Sequence, residues 1–496
     1  MGVVIRQSAK QSVITFFGVA VGAINVLFIY PLTLTVEQLG LLRFVMDTGM
    51  LFAPFVVFGL NHVIIKYYPY FKTQNSNRNN GLLSFALLGT AIFSLLCCLL
   101  VWAFKTPIYN YYTAQNPLYQ NVLFLFAPIS VLMAFCFCFT AFEQSLKRIV
   151  VAQIFNNIYI KIGVPILALF YYFGWLNLTF LFYGVIAIYI LSMFSHVLYI
   201  KFLGQLNFNL YFFRFINKKQ FNEIMVYATF ALLSSFGSFV VLRIDSFMVS
   251  TLSGLEDNGV YTIAAFIANA IAMPTLAVMG ITAPLVAQFW KDDNHAEIEN
   301  LYKKSSLNLL IIGCWLLICV FVGIDYLFEI MPNGNAFKAG KWVVLILGLS
   351  KLFDMATSIN QHIIGYSKWF KFNFYALLFL SVFNIACNYI FIPKYQIMGA
   401  AIASFSALAL FNLLKFGFIY YKFKMQPFSK ETLIVLAFAF IAGLIPFYIP
   451  LNFHPIINLF IKCSIVSLLF LGPVLFFRLS NDLNRMLKTI VGKIIK

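Results

Sequence analysis

The chain reads as an all-α polytopic membrane protein of about fourteen transmembrane helices, and three observations predict it. Of its 496 residues 62% are hydrophobic and only 10% charged, whereas a soluble domain carries about 25% charged residues. Apolar runs of about 20 residues, the length that crosses a hydrocarbon core, recur from one end to the other. Lysine and arginine collect in every second connection between those runs.

The runs cover approximately 11–33, 42–65, 82–104, 120–142, 149–171, 177–200, 224–250, 259–287, 305–328, 342–363, 370–392, 396–420, 432–450 and 455–477. Arg6 and Lys10 lead into the first, which has no small-residue cleavage site of a signal peptide and so reads as an uncleaved span. With the N-terminus in the cytoplasm, 24 of the 34 Lys and Arg fall in cytoplasmic segments. Only Arg43, Lys105, Lys338, Lys341 and Lys394 lie at outer ends, and the other five fall within spans. That bias is what the positive-inside rule requires. It places both termini in the cytoplasm and accounts for most of the net charge of +18, so nucleic-acid binding is not implied.

Chemistry of the enzymatic kind has no visible basis. All eight cysteines fall within spans without metal-ligand spacing and suit apolar packing. The five histidines are scattered, and no phosphate loop or nucleophile–base constellation occurs. The expectation is a protein that is not an enzyme and carries no cofactor.

An internal repeat organises the spans. "VEQLGLLRF" follows the first span and "LEDNGVYTI" the seventh, with Gly40 and Gly259 offset by 219 residues. Each glycine suits a tight turn. Each is followed by a proline, Pro54 or Pro274, that suits a kink, and then by Gly59 or Gly280. Six spans separate the copies, so the two halves are parallel repeats, a transporter plan with the substrate site between them near the midplane.

Six, six and two spans, the Glu-x-x-Gly turn leading into "APFVVFGLNHVIIKYYPYF", and "RIDSFMVSTLSGLEDNGVYTIA" together resemble the oligosaccharide-lipid and polysaccharide exporters of the multidrug/oligosaccharidyl-lipid/polysaccharide (MOP) flippase superfamily. The resemblance implies two parallel six-helix lobes forming a V-shaped central cavity, with two extra C-terminal helices. It divides the chain into an N-lobe 1–202, a basic cytoplasmic linker 203–222, a C-lobe 223–427, spans thirteen and fourteen in 428–478 and a basic tail 479–496. In the lipid II flippase branch the two extra spans border a groove for the lipid tail.

Charges inside spans are the candidate site residues, because each costs roughly 2.5–3.5 kcal/mol at a helix centre on insertion scales. Lys161 has no acid on its own helix, which leaves a cavity role or an interhelix hydrogen bond. Arg243 and Asp245 are two residues apart and cannot pair with each other; Arg243 faces the cavity or snorkels outward. Lys351 and Asp354 share a helix face, as a static pair or a switchable one. Arg43 and Asp47, four apart, form the same kind of local pair. Lys415 and Lys462 are within reach of the interfaces and suit snorkelling. Asn25 is the central polar residue of the first span; Asn61, Asn384, Asn388 and Asn412 line the cavity or join helices.

Bases outnumber acids at mid-span, with Lys161, Arg243 and Lys351 against Asp245 and Asp354, which suits a phosphate-bearing substrate. Lys161, Arg243, Lys351 and Asn25 are the expected substrate-binding set. Asp245 and Asp354 are the carboxylates available to couple a proton or sodium ion, and Arg43, Asp47, Lys415 and Lys462 are secondary candidates. The expected function is to flip an undecaprenyl-pyrophosphate-linked oligosaccharide across a bacterial cytoplasmic membrane by alternating access, for surface polysaccharide synthesis. Membrane lipids and the pathway's glycosyltransferases and polymerase are the partners implied. The rivals are a lipid II flippase, a cation-coupled multidrug exporter and a non-transporting scaffold of a polysaccharide assembly complex. The topology is directly testable: in a cysteine-free background, single cysteines at Asn116 and Asn335 should react with an impermeant thiol reagent from outside. Cysteines at Asn77 and Asn294 should react only after the membrane is opened, and the reverse pattern would overturn the orientation.

Overall fold

A computed structural model describes residues 14–15, 17–72, 81–206, 217–450, 452–480 and 482–485. Every regular element among them is helical, as lipid demands of a chain that must satisfy its own backbone polar groups. Half of the predicted linker (207–216 within 203–222) and most of the tail (481 and 486–496) lie outside the described residues. Among the described residues ten helices have the length and apolarity of a membrane span, or eleven if the bent pair Gly334–Thr357 and Asn360–Tyr366 is one span. The 53-residue helix Lys371–Phe423 enters that number once, although Gln396 (φ 51°, ψ −129°) divides it where two spans are predicted.

Several spans are broken where the sequence carries its prolines. The second consists of Val36–Val57 and Leu60–Lys72, interrupted at Phe58 (φ 47°) and Gly59 (φ 68°) four residues past Pro54. The eighth consists of Leu255–Ile271 and Met273–Lys291, with Pro274 in the first turn of its second piece, where a missing N–H costs nothing. Exposed side chains such as Ile92, Leu95 and Leu100 on Leu82–Ala103 are apolar because their solvent is lipid.

The chain forms two compact units, Met1–Gly259 and Val260–Lys496. In the first, the long seventh span Lys218–Leu252 packs along the second. Where the start of the eighth span continues this packing, two glycines of the repeat make it possible, though not as turn residues. Gly40 has ordinary helical geometry, and a Cβ on it would stand 1.9 Å from the Leu255 carbonyl oxygen. One on Gly259 would stand 2.1 Å from the Val36 carbonyl oxygen. The repeat glycines therefore serve close backbone approach. The turns themselves are made by a Thr35–Gln38 capping box and by Gly254 at φ 117°. Asn258 closes the seam by donating to the Gly40 carbonyl at 2.9 Å, and its Oδ1 accepts from Ser246 at 2.9 Å. At the other end of the seam, a Cβ on Gly59 would stand 2.2 Å from the Ala228 carbonyl oxygen.

In the second unit the 36-residue ninth span, His295–Ile330, is the central post. The last two spans, Lys430–Leu444 and Pro455–Phe476, pack on it. Trp315 donates to Ser467 at 2.9 Å and Asn308 to Asp482 at 3.2 Å. Lys462 does not snorkel. It is buried, and its ammonium donates to the carbonyls of Pro446 and Ile449 at the end of the thirteenth span, where a helix terminus leaves carbonyl capacity to spare.

Gly40→Ala and Gly259→Ala should each destabilise the protein by about 1–3 kcal/mol through overpacking. Because both report on one seam, the double variant should lose less than the sum, as read from thermal unfolding in detergent. Strict additivity would mean that the two glycines act at separate contacts.

Candidate functional site

The charges of the first unit gather on the seam between the second and seventh spans. Arg243 reaches across it, with Nη1 3.2 Å from Asp47 Oδ1 and Nε donating to Met50 Sδ at 3.2 Å. Asp47 is buried while about a third of the Arg243 side chain, 35%, remains accessible. The expected local pair of Arg43 with Asp47 does not form: the buried Arg43 Nε has no hydrogen-bond partner among the described residues. A base one turn before its acid is the weaker order on a helix, and the tight seam brings Asp47 a better-placed guanidinium. Tyr189 lies within electrostatic reach of Asp47, Arg43 and Arg243. Asp245 is half-buried, two residues beyond Arg243.

Lys161 and Asn25 form a clasp between the first and fifth spans. Pro165 has no N–H to offer the Lys161 carbonyl one turn back, and Asn25 Nδ2 donates to that carbonyl instead at 2.6 Å. The Lys161 ammonium donates to the Gly18 carbonyl at 2.8 Å, reached through the space left by Gly18 and Gly22. Of the two roles open to Lys161, this geometry is the interhelix hydrogen bond. Both spans carry a π-helical turn nearby, Asn25–Ile29 and Ile154–Ile158, a feature frequent at functional sites.

Beside the seam, within the first unit, is a cavity of about 280 Å³ lined by Asn61, His62, Ser234, Ser235, Ser238 and Phe239 among others. His62 Nε2 is 2.9 Å from Ser235 Oγ, and the buried Asn61 Oδ1 has no partner among the described residues. Phe239 lies one helical turn before Arg243, and its ring stacks on Phe137 at 5.9 Å. The lining of hydroxyl, amide and imidazole groups beside aromatic rings offers hydrogen bonds and stacking to a polyhydroxylated ligand. At this volume, near the lower end of ligand pockets, it holds a small group. Asn61 was among the sequence candidates; His62 and the serines were not. Their signal was the 234, 235, 238 spacing, which sets hydroxyls on one helix face.

In the second unit the polar centre is the break in the tenth span. Lys341–Thr357 and Asn360–Tyr366 meet at Ser358, whose φ of 42° is strained for a residue with a Cβ. Asn412 of the twelfth span bridges the break. Its Oδ1 accepts from Thr357 Oγ1 and Asn360 Nδ2, both at 3.1 Å, and its Nδ2 donates to Asp354 Oδ1 at 3.0 Å. The predicted Lys351–Asp354 ion pair is absent among the described residues. Lys415 takes that place: it is 2% exposed, lies within electrostatic reach of Asp354 and packs on the Phe411 ring at 4.1 Å. It does not snorkel, because the polar break supplies in the interior what an isolated ammonium would seek in water. Among the described residues no group of His, Cys, Asp and Glu is arranged to hold a metal ion.

Broken spans and charges buried between helices define the class: an all-α membrane protein fold of the MOP superfamily. The chain belongs to the polysaccharide biosynthesis protein family, whose model matches residues 10–290; a MatE family model matches 217–390. A Methanocaldococcus jannaschii membrane protein, itself described as uncharacterized, is 22% identical over 482 residues, 92% of each chain. Among solved structures, the lipid II flippase MurJ in an inward closed conformation is similar with a TM-score of 0.76 at 15% identity, covering 94% of this chain and 98% of that one. An inward-facing multidrug resistance MATE family transporter of the MOP superfamily has a TM-score of 0.63 at 14% identity, covering 83% and 94%. At these identities the likeness to the solved structures is one of fold.

Asp47→Asn should leave Arg243 without its counter-charge and lower the thermal midpoint. Adding Arg243→Gln should recover part of the loss, with a coupling energy of about 0.5–3 kcal/mol. A double variant as unstable as the sum of the singles would show that the pair contributes nothing.

Proposed function

We propose that the protein is a flippase that moves a polyprenyl-pyrophosphate-linked oligosaccharide from the inner to the outer leaflet of the cell membrane for surface polysaccharide assembly. The observation that carries this reading is the seam of the first unit, where Arg243 pairs with Asp47 and the Nε of Arg43, one turn from Asp47, has no partner among the described residues, beside a hydroxyl-lined cavity. A pyrophosphate suits the guanidinium excess through bidentate charge-assisted hydrogen bonds. A sugar suits serine hydroxyls, an asparagine with a spare acceptor and a phenylalanine ring. The family's description as polysaccharide biosynthesis proteins agrees with the sugar.

Arg243 is the proposed phosphate ligand, since part of its guanidinium stays accessible while Asp47 holds it in place. Lys161 and Asn25 hold the first and fifth spans together at their clasp, and Lys351 is a further base for the head group. Export of cationic drugs would need carboxylates free to bind them, but Asp47 is engaged by Arg243 and Asp354 by Asn412. Lipid II carries the same pyrophosphate and polyprenyl chemistry, and a flippase fold of this kind would meet that half of it equally well.

The test is flipping in proteoliposomes of a fluorescent polyprenyl-pyrophosphoryl oligosaccharide, with outer-leaflet label quenched by dithionite. Wild-type protein should flip it, Arg243→Gln should be slower by about tenfold or more, and Arg243→Lys should recover part of the rate, because lysine keeps the charge without the planar fork. Unchanged flipping by correctly inserted Arg243→Gln would remove Arg243 from the site. Flipping of labelled lipid II in preference to the oligosaccharide would assign the protein to the peptidoglycan precursor instead.

A further inference from the structure

Away from the cationic seam, the first unit buries a second ionisable group of a different kind. Glu143, in the last turn of Phe126–Ser145, and His196, in Leu178–Phe202, are both 0% exposed. Glu143 Oε1 and His196 Nδ1 are 2.8 Å apart. The other ring nitrogen, Nε2, is 3.2 Å from Asn156 Oδ1, and Asn156 Nδ2 donates to Thr140 Oγ1 at 2.6 Å. The network assigns the protons: Asn156 spends its N–H on Thr140 and offers His196 an oxygen, so Nε2 carries a hydrogen. One further proton then lies between Nδ1 and Oε1, and whichever atom holds it, the pair as a whole is neutral. The second carboxylate oxygen, Oε2, is buried with no hydrogen-bond partner among the described residues.

That orphan oxygen is the place for another proton. Protonation there would turn a neutral pair into a cation, a neutral carboxyl beside an imidazolium, with an O–H that has nothing to donate to in this conformation. Both penalties are of the size that a low-dielectric interior makes decisive. A conformation that brings water or an acceptor to Oε2 would relieve them. Asn156 lies in the π-helical turn Ile154–Ile158, an irregularity of the kind frequent at functional sites. Water is also close by chain, since exposed Lys147 and Arg148 follow within five residues of Glu143.

Other ionisable groups packed around the pair are otherwise engaged. Cys136 lies against Ser192 and Tyr159 against Ser195. From the second span, His62 meets Ser235, Lys66 stacks on the Tyr227 ring and Tyr68 is edge-on to Phe142.

The repeat supplies an independent observation. Counting 219 residues on from His196, the offset between Gly40 and Gly259, arrives at Lys415. Lys415 is likewise buried and within reach of an acid, Asp354, on the span two before its own. Each six-span half thus places a buried base on its sixth span within reach of an acid on its fourth, an imidazole in the first half and an ammonium in the second.

We propose that Glu143 and His196, oriented by Asn156, form a proton-binding site of the first unit that accepts its second proton in a conformation other than this one. Its use as a coupling site rests on the transport reading above; proton binding does not.

Infrared titration of the full-length protein in lipid nanodiscs tests it from about pH 9 to about pH 5, where exposed carboxylates stay ionised. Wild-type protein should gain a protonated-carboxyl C=O band on acidification. Glu143→Gln should lose that band, and His196→Asn should show it at every pH, since Glu143 then has no cationic partner. If Glu143→Gln does not insert, Glu143→Asp should shift the band. A wild-type spectrum with no such band, or one that Glu143 variants leave unchanged, overturns the site and makes the pair a fixed interhelix link. With the band in place, oligosaccharide flipping that loses its pH dependence in Glu143→Gln supports coupling, and flipping indifferent to pH in wild type overturns it. Wild-type protein that flips no labelled lipid would sink the transport reading while the titration still decides proton binding.

Discussion

The second span touches the seventh and the start of the eighth backbone to backbone, and much else in the first unit follows from that. In a bilayer no hydrophobic force draws helices together, so close packing of small residues has to do it. Gly40, Gly59 and Gly259 provide the room, each where a single Cβ would collide with a carbonyl of the facing segment. The seam then fixes what lies between its ends. Asn258 reaches the Gly40 carbonyl, Arg243 comes within bonding distance of Asp47, and the serines of the seventh span face Asn61 and His62 across a cavity. A wider seam would leave the guanidinium and the carboxylate each alone in an apolar setting, which costs far more than the pair itself contributes.

The same economy governs the remaining buried charges. Lys161 and Lys462 both donate to backbone carbonyls: one to Gly18 in the glycine-rich first span, the other to a helix end. Lys415 meets the broken tenth span, where Asn412 organises Asp354, Thr357 and Asn360 into one network. Irregular backbone and buried charge thus occur together, because each supplies the partner that the other lacks. Such places are also the ones able to rearrange, since their hydrogen bonds are made by side chains and can be exchanged.

A transporter needs a rigid frame and a few mobile contacts. The ninth span with the last two helices has the character of frame, held by apolar packing and by hydrogen bonds such as Trp315 to Ser467. The contacts made by exchangeable side chains are the ion pair on the seam, the polar break at Ser358 and the Glu143–His196 pair. All three combine buried charge with an irregular or closely packed backbone, and all three lie within the membrane-spanning parts of the chain.

Composition and hydropathy by themselves determined the class, the approximate limits of the helices and which side chains are too costly in lipid to be there without a reason. These are local quantities, readable in windows of about 20 residues. The sequence also marked the repeat glycines and prolines, though it could not say that Gly40 and Gly259 serve one contact instead of two turns. Partner choice was decided only by the tertiary structure. Asp47 had Arg43 one turn away and took Arg243 from another span; Asp354 had Lys351 and lies with Asn412 and Lys415. Glu143 and His196, each unremarked within its own span, became a site by meeting across 53 residues of chain. The reason is physical: a charge in a low dielectric is held by whichever opposite group helix packing brings nearest in the right direction, and helical periodicity describes only neighbours on the same helix.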